Sequence, residues 1–96
     1  MITTICMNPC FDKTVEMDQL RIGELNRIRR MRVDPGGKGI NVAVAARQLG
    51  MEAKCIGVIG EDGAAELADM LDKKGVGHRF LSGPGRVRTN MKICLK

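Results

Sequence analysis

The stretch VDPGGKGINVAVAARQLG, residues 33–50, decides how this chain is laid out. Gly36, Gly37 and Gly39 surround Lys38, and Asn41 follows at the head of an alanine-rich run. Ile40, Val44 and Leu49 recur near helical spacing, and Ala43, Ala45 and Ala46 permit close packing. Gly50 supplies a C-terminal stop, so the pattern predicts a helix from about Gly39 to Leu49. Both common nucleotide motifs fail here. The P-loop needs Ser or Thr after its lysine, and Gly39 follows Lys38. A G-x-G-x-x-G started at Gly37 ends on Val42, and one started at Gly36 puts Lys38 at its second glycine. Two readings stay open from the residues themselves. One is a glycine-rich turn with an exposed lysine. The other is an anion cradle, built from free N–H groups at a helix start, a mobile lysine charge and a hydrogen-bonding Asn41.

Outward from that helix the pattern alternates. MITTICMN reads as a buried strand that stops at Pro9. DKTVEMD is half exposed, with Thr14 and Glu16 facing one way and Val15 and Met17 the other. LRIGELNR turns at Gly23, and RIRRMRVD is extended up to Pro35. Downstream, AKCIGVIG has the continuous apolar character of a parallel strand covered on both faces. In GEDGAAELADMLDKKG, Asp62 is the expected N-cap and Leu67, Met70 and Leu71 the core face of a second helix. VGHRFLS is a third core strand, GPG is expected to turn the chain, and RVRTNMKICLK is a final strand. The β-α-β-α-β alternation predicts an α/β parallel sheet, partial and Rossmann-like. The polar, basic extra strands would form a second, smaller sheet. The chain stops inside an apparent strand, which reads as a fragment of a larger domain or a truncated frame.

Composition narrows the function classes. Hydrophobic residues make up 44% and charged residues 28% of 96, which suits one small globular domain. No apolar run reaches the roughly 18 residues of a membrane span. The N-terminus lacks a basic, apolar leader, so a cytoplasmic protein without membrane partners is expected. Cys6, Cys55 and Cys94 are expected as small buried residues, and Cys10 as an exposed thiol. Their spacing and the lone His78 suit no metal site. Net charge is +5, clustered at Arg21, Arg27, Arg29, Arg30 and Arg32. With Phe11 and Phe80 the only aromatics, no stacking platform exists, and a nucleic-acid partner is not expected.

The positions Gly36, Gly37, Gly39, Asn41, Ala43, Gly50 and Gly60 together resemble the first signature of the ribokinase-like carbohydrate kinases of phosphofructokinase B type. MNPCFDKTVEMD resembles the LNPAIDKT-like opening of bacterial 1-phosphofructokinases and tagatose-6-phosphate kinases, and RTNMKI resembles their TRTNIKI strand. GELNR and VDPGGKGINVA fit the same subgroup. The resemblance covers the whole chain but only the N-terminal part of that family.

It implies a ribokinase-like sheet with a small β-sheet lid, near residues 12–17, 27–33 and 86–96, that covers the sugar and often mediates a homodimer. It implies that Asp12 bonds sugar hydroxyls, and that Gly37, Lys38, Gly39 and Asn41 form the floor of a sugar-phosphate site. Arg88 would bind the substrate's phosphate with Asn90 beside it, and Arg27 is a weaker candidate for the same phosphate. The implied reaction is transfer of a phosphoryl group from ATP with Mg2+ to a ketohexose phosphate, most simply fructose 1-phosphate to fructose 1,6-bisphosphate. The family's base sits in a GAGD-type motif absent from these residues, as is the nucleotide-binding half. The resemblance therefore gives no catalytic residue here, no metal ligand, and an isolated chain that is inactive and holds ATP and Mg2+ weakly. A non-catalytic sugar-phosphate-binding module is the alternative.

Overall fold

The structure is a computed structural model, and it describes residues 1–95. The elements run β1 (Ile2–Cys6), β2 (Cys10–Met17), β3 (Arg30–Gly36), α1 (Lys38–Gln48), β4 (Ala53–Asp62), α2 (Ala64–Lys73), β5 (Gly77–Arg86) and β6 (Arg88–Leu95). They form two three-stranded sheets, ordered β1-β4-β5 and β3-β2-β6. The first is parallel throughout. The second is mixed, with β2 antiparallel to β3 and parallel to β6. The division into an α/β core sheet and a separate lid sheet is the one that the sequence pattern predicts.

The core lies on one face of the parallel sheet. Cys6, Ala53, Cys55 and Ile59 pack there against Ile40, Ala43 and Ala46 of α1 and Leu67 and Leu71 of α2. The alternate residues on β4, Lys54, Ile56 and Val58, remain partly or largely exposed. Coverage of that strand on both faces is therefore not met among the described residues. Helix α1 buries Ile40 of the predicted stripe together with its small residues Gly39, Ala43 and Ala46. Val44 is only partly buried and Leu49 is exposed, because alanines let the helix lie closer to the sheet along Ile40, Ala43 and Ala46. Met70 is likewise partly exposed beside the buried Leu67 and Leu71.

Element ends shift where tertiary pairing overrides local signals. β3 continues through Pro35 to Gly36, because it is an edge strand and a proline at an edge gives up no ladder bond. Gly83-Pro84-Gly85 does not turn the chain. β5, also an edge strand, carries it to Arg86 across an irregularity opposite Gly60 and Asp62. The chain changes sheets at Val87, so Arg86 belongs to the core sheet and not to the lid. Asp62 is not the N-cap of α2. It ends β4 and pairs with Arg86 at 3.2 Å, while Gly63 caps the helix at φ 100°. Cys10 is buried, closed off by the facing strand, and Cys94 is partly exposed. Lys96, the last residue of the predicted lid strand, lies outside the described residues.

Candidate functional site

The glycines of the opening stretch hold α1 against both sheets. A side chain at Gly39 would collide with the Ile5 backbone carbonyl, so the first turn of α1 lies directly on β1. Thr4 of β1 donates its hydroxyl to the Gly39 carbonyl at 2.7 Å. Gly37 adopts φ 115°, a conformation that other residues rarely take, and precedes the helix without a side-chain cap. Helix bonding starts at the Asn41 N–H, which donates to the Gly37 carbonyl at 2.8 Å. The earlier N–H groups have no intrahelical partner and the helix dipole is positive there. No acidic residue occupies that first turn, and Lys38 is exposed on it.

The lid brings polar residues to the same place. Register sets Asp34, Asp12 and Asn90 side by side across β3, β2 and β6, with Cys10 one step along between Gly36 and Arg88. Asn90 donates from Nδ2 to Asp12 Oδ1 at 3.4 Å and to Cys10 Sγ at 3.6 Å. Arg88 Nη1 donates to Asn90 Oδ1 at 3.1 Å. The Cys10 thiol donates to Asp12 Oδ1 at 3.6 Å. Burial raises the Cys10 pKa most, the Asp12 charge and hydrogen bond raise it further, and the Arg88 charge opposes them. The thiol is therefore held neutral beneath the row. Burial also raises the pKa of Cys55.

Two neighbouring cavities divide the sequence-predicted residues. One, of about 370 Å³, is lined by Asp12, Asn41 and Asn90 together with Arg32, Asp34 and Lys92 among others. The other, of about 300 Å³, takes Gly37, Lys38, Gly39 and Arg88 with Met7 and Asn8. The Arg88–Asn90 hydrogen bond joins them. The first cavity thus offers carboxylates and amides with the cations Lys13, Arg32 and Lys92 around them, and the second offers Lys38, Arg88 and helix N–H groups. Arg27 is not brought to either. It lines a separate hollow with Asp18, Arg21 and Arg29 in the β2–β3 connection. Met7 and Asn8 also border a third cavity at the carboxyl ends of β4 and β5, where ligands of open α/β sheets bind.

Asp34 and Arg32 were not singled out by sequence reasoning. A signal was available: in a strand ending at Gly36, Asp34 and Arg32 fall on the face of that glycine. The arginine run is mostly accounted for by acid partners, one exposed and two half-buried: Arg29 with Asp18 at 3.0 Å, Arg30 with Glu16 at 3.9 Å and Arg32 with Asp34 at 2.8 Å. His78, without a partner in the sequence pattern, meets Asp72 at 2.8 Å. Among the described residues, no helix is long and apolar enough to cross a membrane.

A parallel α/β layer whose first crossover helix meets a three-stranded lid is the architecture of the ribokinase-like phosphofructokinases. The profile of the pfkB family carbohydrate kinases matches residues 4–96, and the chain belongs to that family. It is 32% identical over 92 residues to the 1-phosphofructokinase of Haemophilus influenzae, covering 96% of this chain and 29% of that protein. Against the 1-phosphofructokinase of Escherichia coli it is 30% identical over 95 residues, covering 99% and 30%. The crystal structure of phosphofructokinase-2 from Escherichia coli in complex with fructose-6-phosphate superposes with a TM-score of 0.88 at 26% identity. That superposition covers 99% of this chain and 31% of the enzyme. The chain spans about 30% of the length of the curated relatives it matches.

Proposed function

We propose that these residues form the sugar-phosphate side of an ATP-dependent ketohexose-phosphate kinase, and that its substrate is fructose 1-phosphate. The juxtaposition of the Asp12–Asn90 cavity with the Lys38–Arg88 cavity carries this reading. A sugar phosphate has a polyol end, which needs acceptors and amides, and a dianionic end, which needs cations and N–H donors. Asp12, Asn41 and Asn90 would take the hydroxyls. Arg88, Lys38 and the α1 N-terminus, with Gly37 and Gly39 allowing close backbone approach, would take the phosphate. Fructose 1-phosphate is preferred because the curated relatives named above are 1-phosphofructokinases.

In the reaction, a substrate hydroxyl oxygen forms a new bond to the γ-phosphorus of ATP as the bond to ADP breaks, and the hydroxyl proton passes to a base. ATP with Mg2+ supplies the phosphoryl group and neutralises its charge. The residues of this chain bind and orient the acceptor, and the base and nucleotide site are assigned to the part of the family fold that they do not span. Arg27, remote from both cavities, is assigned to the solvated surface of the lid connection.

The lid offers a partner surface. On the face opposite Asp12 and Asn90, Met31 of β3 is 53% exposed and Met91 and Leu95 of β6 are 59% and 58% exposed, on either side of the buried Val15 and Met17 of β2. A second copy is the proposed occupant, giving a homodimer through the lid. Sedimentation of wild type and Met91→Glu tests it, and equal masses for the two reject it.

The activity test is a coupled ADP-release assay on the protein expressed from its whole gene, with fructose 1-phosphate, tagatose 6-phosphate and fructose 6-phosphate. Preferred turnover of fructose 1-phosphate is expected. Binding of sugar phosphate without turnover of any of the three would favour the non-catalytic module. The isolated chain is expected to be inactive. Arg88→Ala is expected to raise KM for the sugar phosphate far more than KM for ATP, and equal effects would reject the phosphate role.

A further inference from the structure

We propose that Asp34 is a second carboxylate that binds a hydroxyl of the sugar, with Arg32 as its positioning residue. This rests on the reading that the site takes a ketohexose phosphate, and it assigns a specificity role to a residue outside the Asp12–Asn41–Asn90 set. The register places Asp34 directly opposite Asp12 on the same face of the lid. Both line the cavity that also holds Asn41 and Asn90. Like charges directly opposite one another across a pair of strands destabilise a sheet. Arg32 and Asn90 offset part of that repulsion, and a polyol, which donates a hydroxyl to each carboxylate, would use the acceptors that they leave free.

The neighbours separate the two carboxylates chemically. Asp12 Oδ1 faces the Asn90 amide and the Cys10 thiol. Asp34 Oδ2 accepts from Arg32 Nε at 2.8 Å, and its Oδ1 has no protein donor among the described residues. That pair is largely exposed on the Arg32 side, 72%, and much less on the Asp34 side, 35%. As a surface ion pair it would contribute little to stability. As a device that fixes one carboxylate oxygen and leaves the other for a ligand, it has a defined consequence.

The test compares Asp34→Asn with wild type in the protein expressed from its whole gene. A hydrogen bond to a charged group lost from the complex corresponds to roughly a tenfold rise in KM or more. The expected result is that rise for the sugar phosphate, with KM for ATP within twofold. A panel of substrates lacking one hydroxyl each supplies the second readout. One of them should be penalised in wild type and not in Asp34→Asn, as removal of either partner of one bond requires. An unchanged KM, an equal rise for ATP, or identical penalties in both proteins would overturn the assignment. Asp34→Glu, which keeps the charge but displaces the oxygens, replaces Asp34→Asn if the latter melts early. Arg32→Gln should reproduce a smaller rise in KM for the same sugar. If wild type phosphorylates none of the three ketohexose phosphates, the kinase reading fails, and calorimetric binding of fructose 1-phosphate then decides Asp34 alone. Tenfold weaker binding by Asp34→Asn sustains the assignment, and equal or absent binding in both ends it.

Discussion

Gly36→Ala tests the site through a single methyl group. Gly36 lies outside the left-handed backbone region, so alanine is conformationally admissible there. Its Cβ, however, would fall on Asp12 Oδ2, 2.7 Å from Asp12 Cγ and 2.9 Å from Cys10 Sγ. The nearest obstacles are side-chain atoms, so the carboxylate has to swing away while the strands stay paired. That breaks the Asp12 contacts to Asn90 and Cys10. Replacing a strand glycine relieves about 0.5–1 kcal/mol, and crowding costs about 1–3 kcal/mol. The net loss is about 1 kcal/mol, or roughly 4–8 °C for a chain of this size. A sugar hydroxyl deprived of Asp12 loses about 1.5–3 kcal/mol, which is about a tenfold to a hundredfold rise in KM. Steady-state kinetics with the sugar phosphate and with ATP, beside thermal melts, measure both quantities. In Asp12→Ala the carboxylate is already gone and only the Cys10 Sγ contact remains, so Gly36→Ala added to it should change KM no further. A normal KM for Gly36→Ala would refute the placement of Asp12 at the sugar. A fall in melting temperature beyond about 15 °C would show that the strand, and not the carboxylate, gives way.

Gly39→Ala should act on the fold instead, because its Cβ meets the Ile5 carbonyl carbon at 2.7 Å and the Cys6 nitrogen at 3.0 Å, and backbone does not rotate aside. With the Thr4 bond strained as well, a loss of about 2 kcal/mol is expected in urea unfolding, and an unchanged midpoint rejects it. Leu67→Ala, at a side chain 0% exposed between helix and sheet, should lose about 2–5 kcal/mol in the same assay. A loss under 1 kcal/mol would mean that α2 is not seated as described. The raised pKa values of Cys10 and Cys55 predict a pH profile. Their contribution is complete below the ordinary thiol value of about 8.5. It is lost as pH rises from there through the raised folded values, because the unfolded chain then releases protons that the folded one retains. Urea unfolding at neutral and alkaline pH should show that decline reduced in Cys10→Ala, and identical profiles would contradict the burial of this thiol.

What the sequence disclosed and what it hid have physical causes. The order of elements was legible because burial imposes different periods on strands and helices, and because polar β2, β3 and β6 cannot lie within the apolar β1-β4-β5 sheet. Element ends were not. Pro35 and Gly83-Pro84-Gly85 look like breaks until their strands are known to be edges. Asp62 has the chemistry of a cap, but pairing with β5 keeps it in β4. In the proposed site, Asp12, Lys38, Asn41, Arg88 and Asn90 were reachable through the family resemblance. The pairing of Asp34 with Asp12 was not, because register between strands that are distant in sequence is a tertiary property. Burial of Cys10 depends in the same way on its facing strand.

The glycine stretch acts as a seam between layers, which explains why fold and site cannot be separated there. Gly36 faces Asp12 and Cys10 of the lid, Gly37 faces the Cys6 thiol and the Asn8 carbonyl, and Gly39 faces the Ile5 backbone. Within four residues the chain therefore touches the lid, the β1–β2 crossing and the core sheet. Among the described residues, the chain passes between core and lid at three places, Met7–Pro9, Gly37 and Val87. Pro9 and Val87 are buried, and Phe11 and Val87 both press against Gly63 at the start of α2, with their nearest atoms 3.2 Å from its Cβ position. These crossings set the distance from Asp12 and Asn90 on the lid to Lys38 on the helix. A substitution at Val87 or Gly63 should thus disturb the spacing between the Asp12–Asn90 and Lys38–Arg88 cavities without touching a polar residue of either. The site is a property of how two sheets are joined, and the glycines are where the joint is closest.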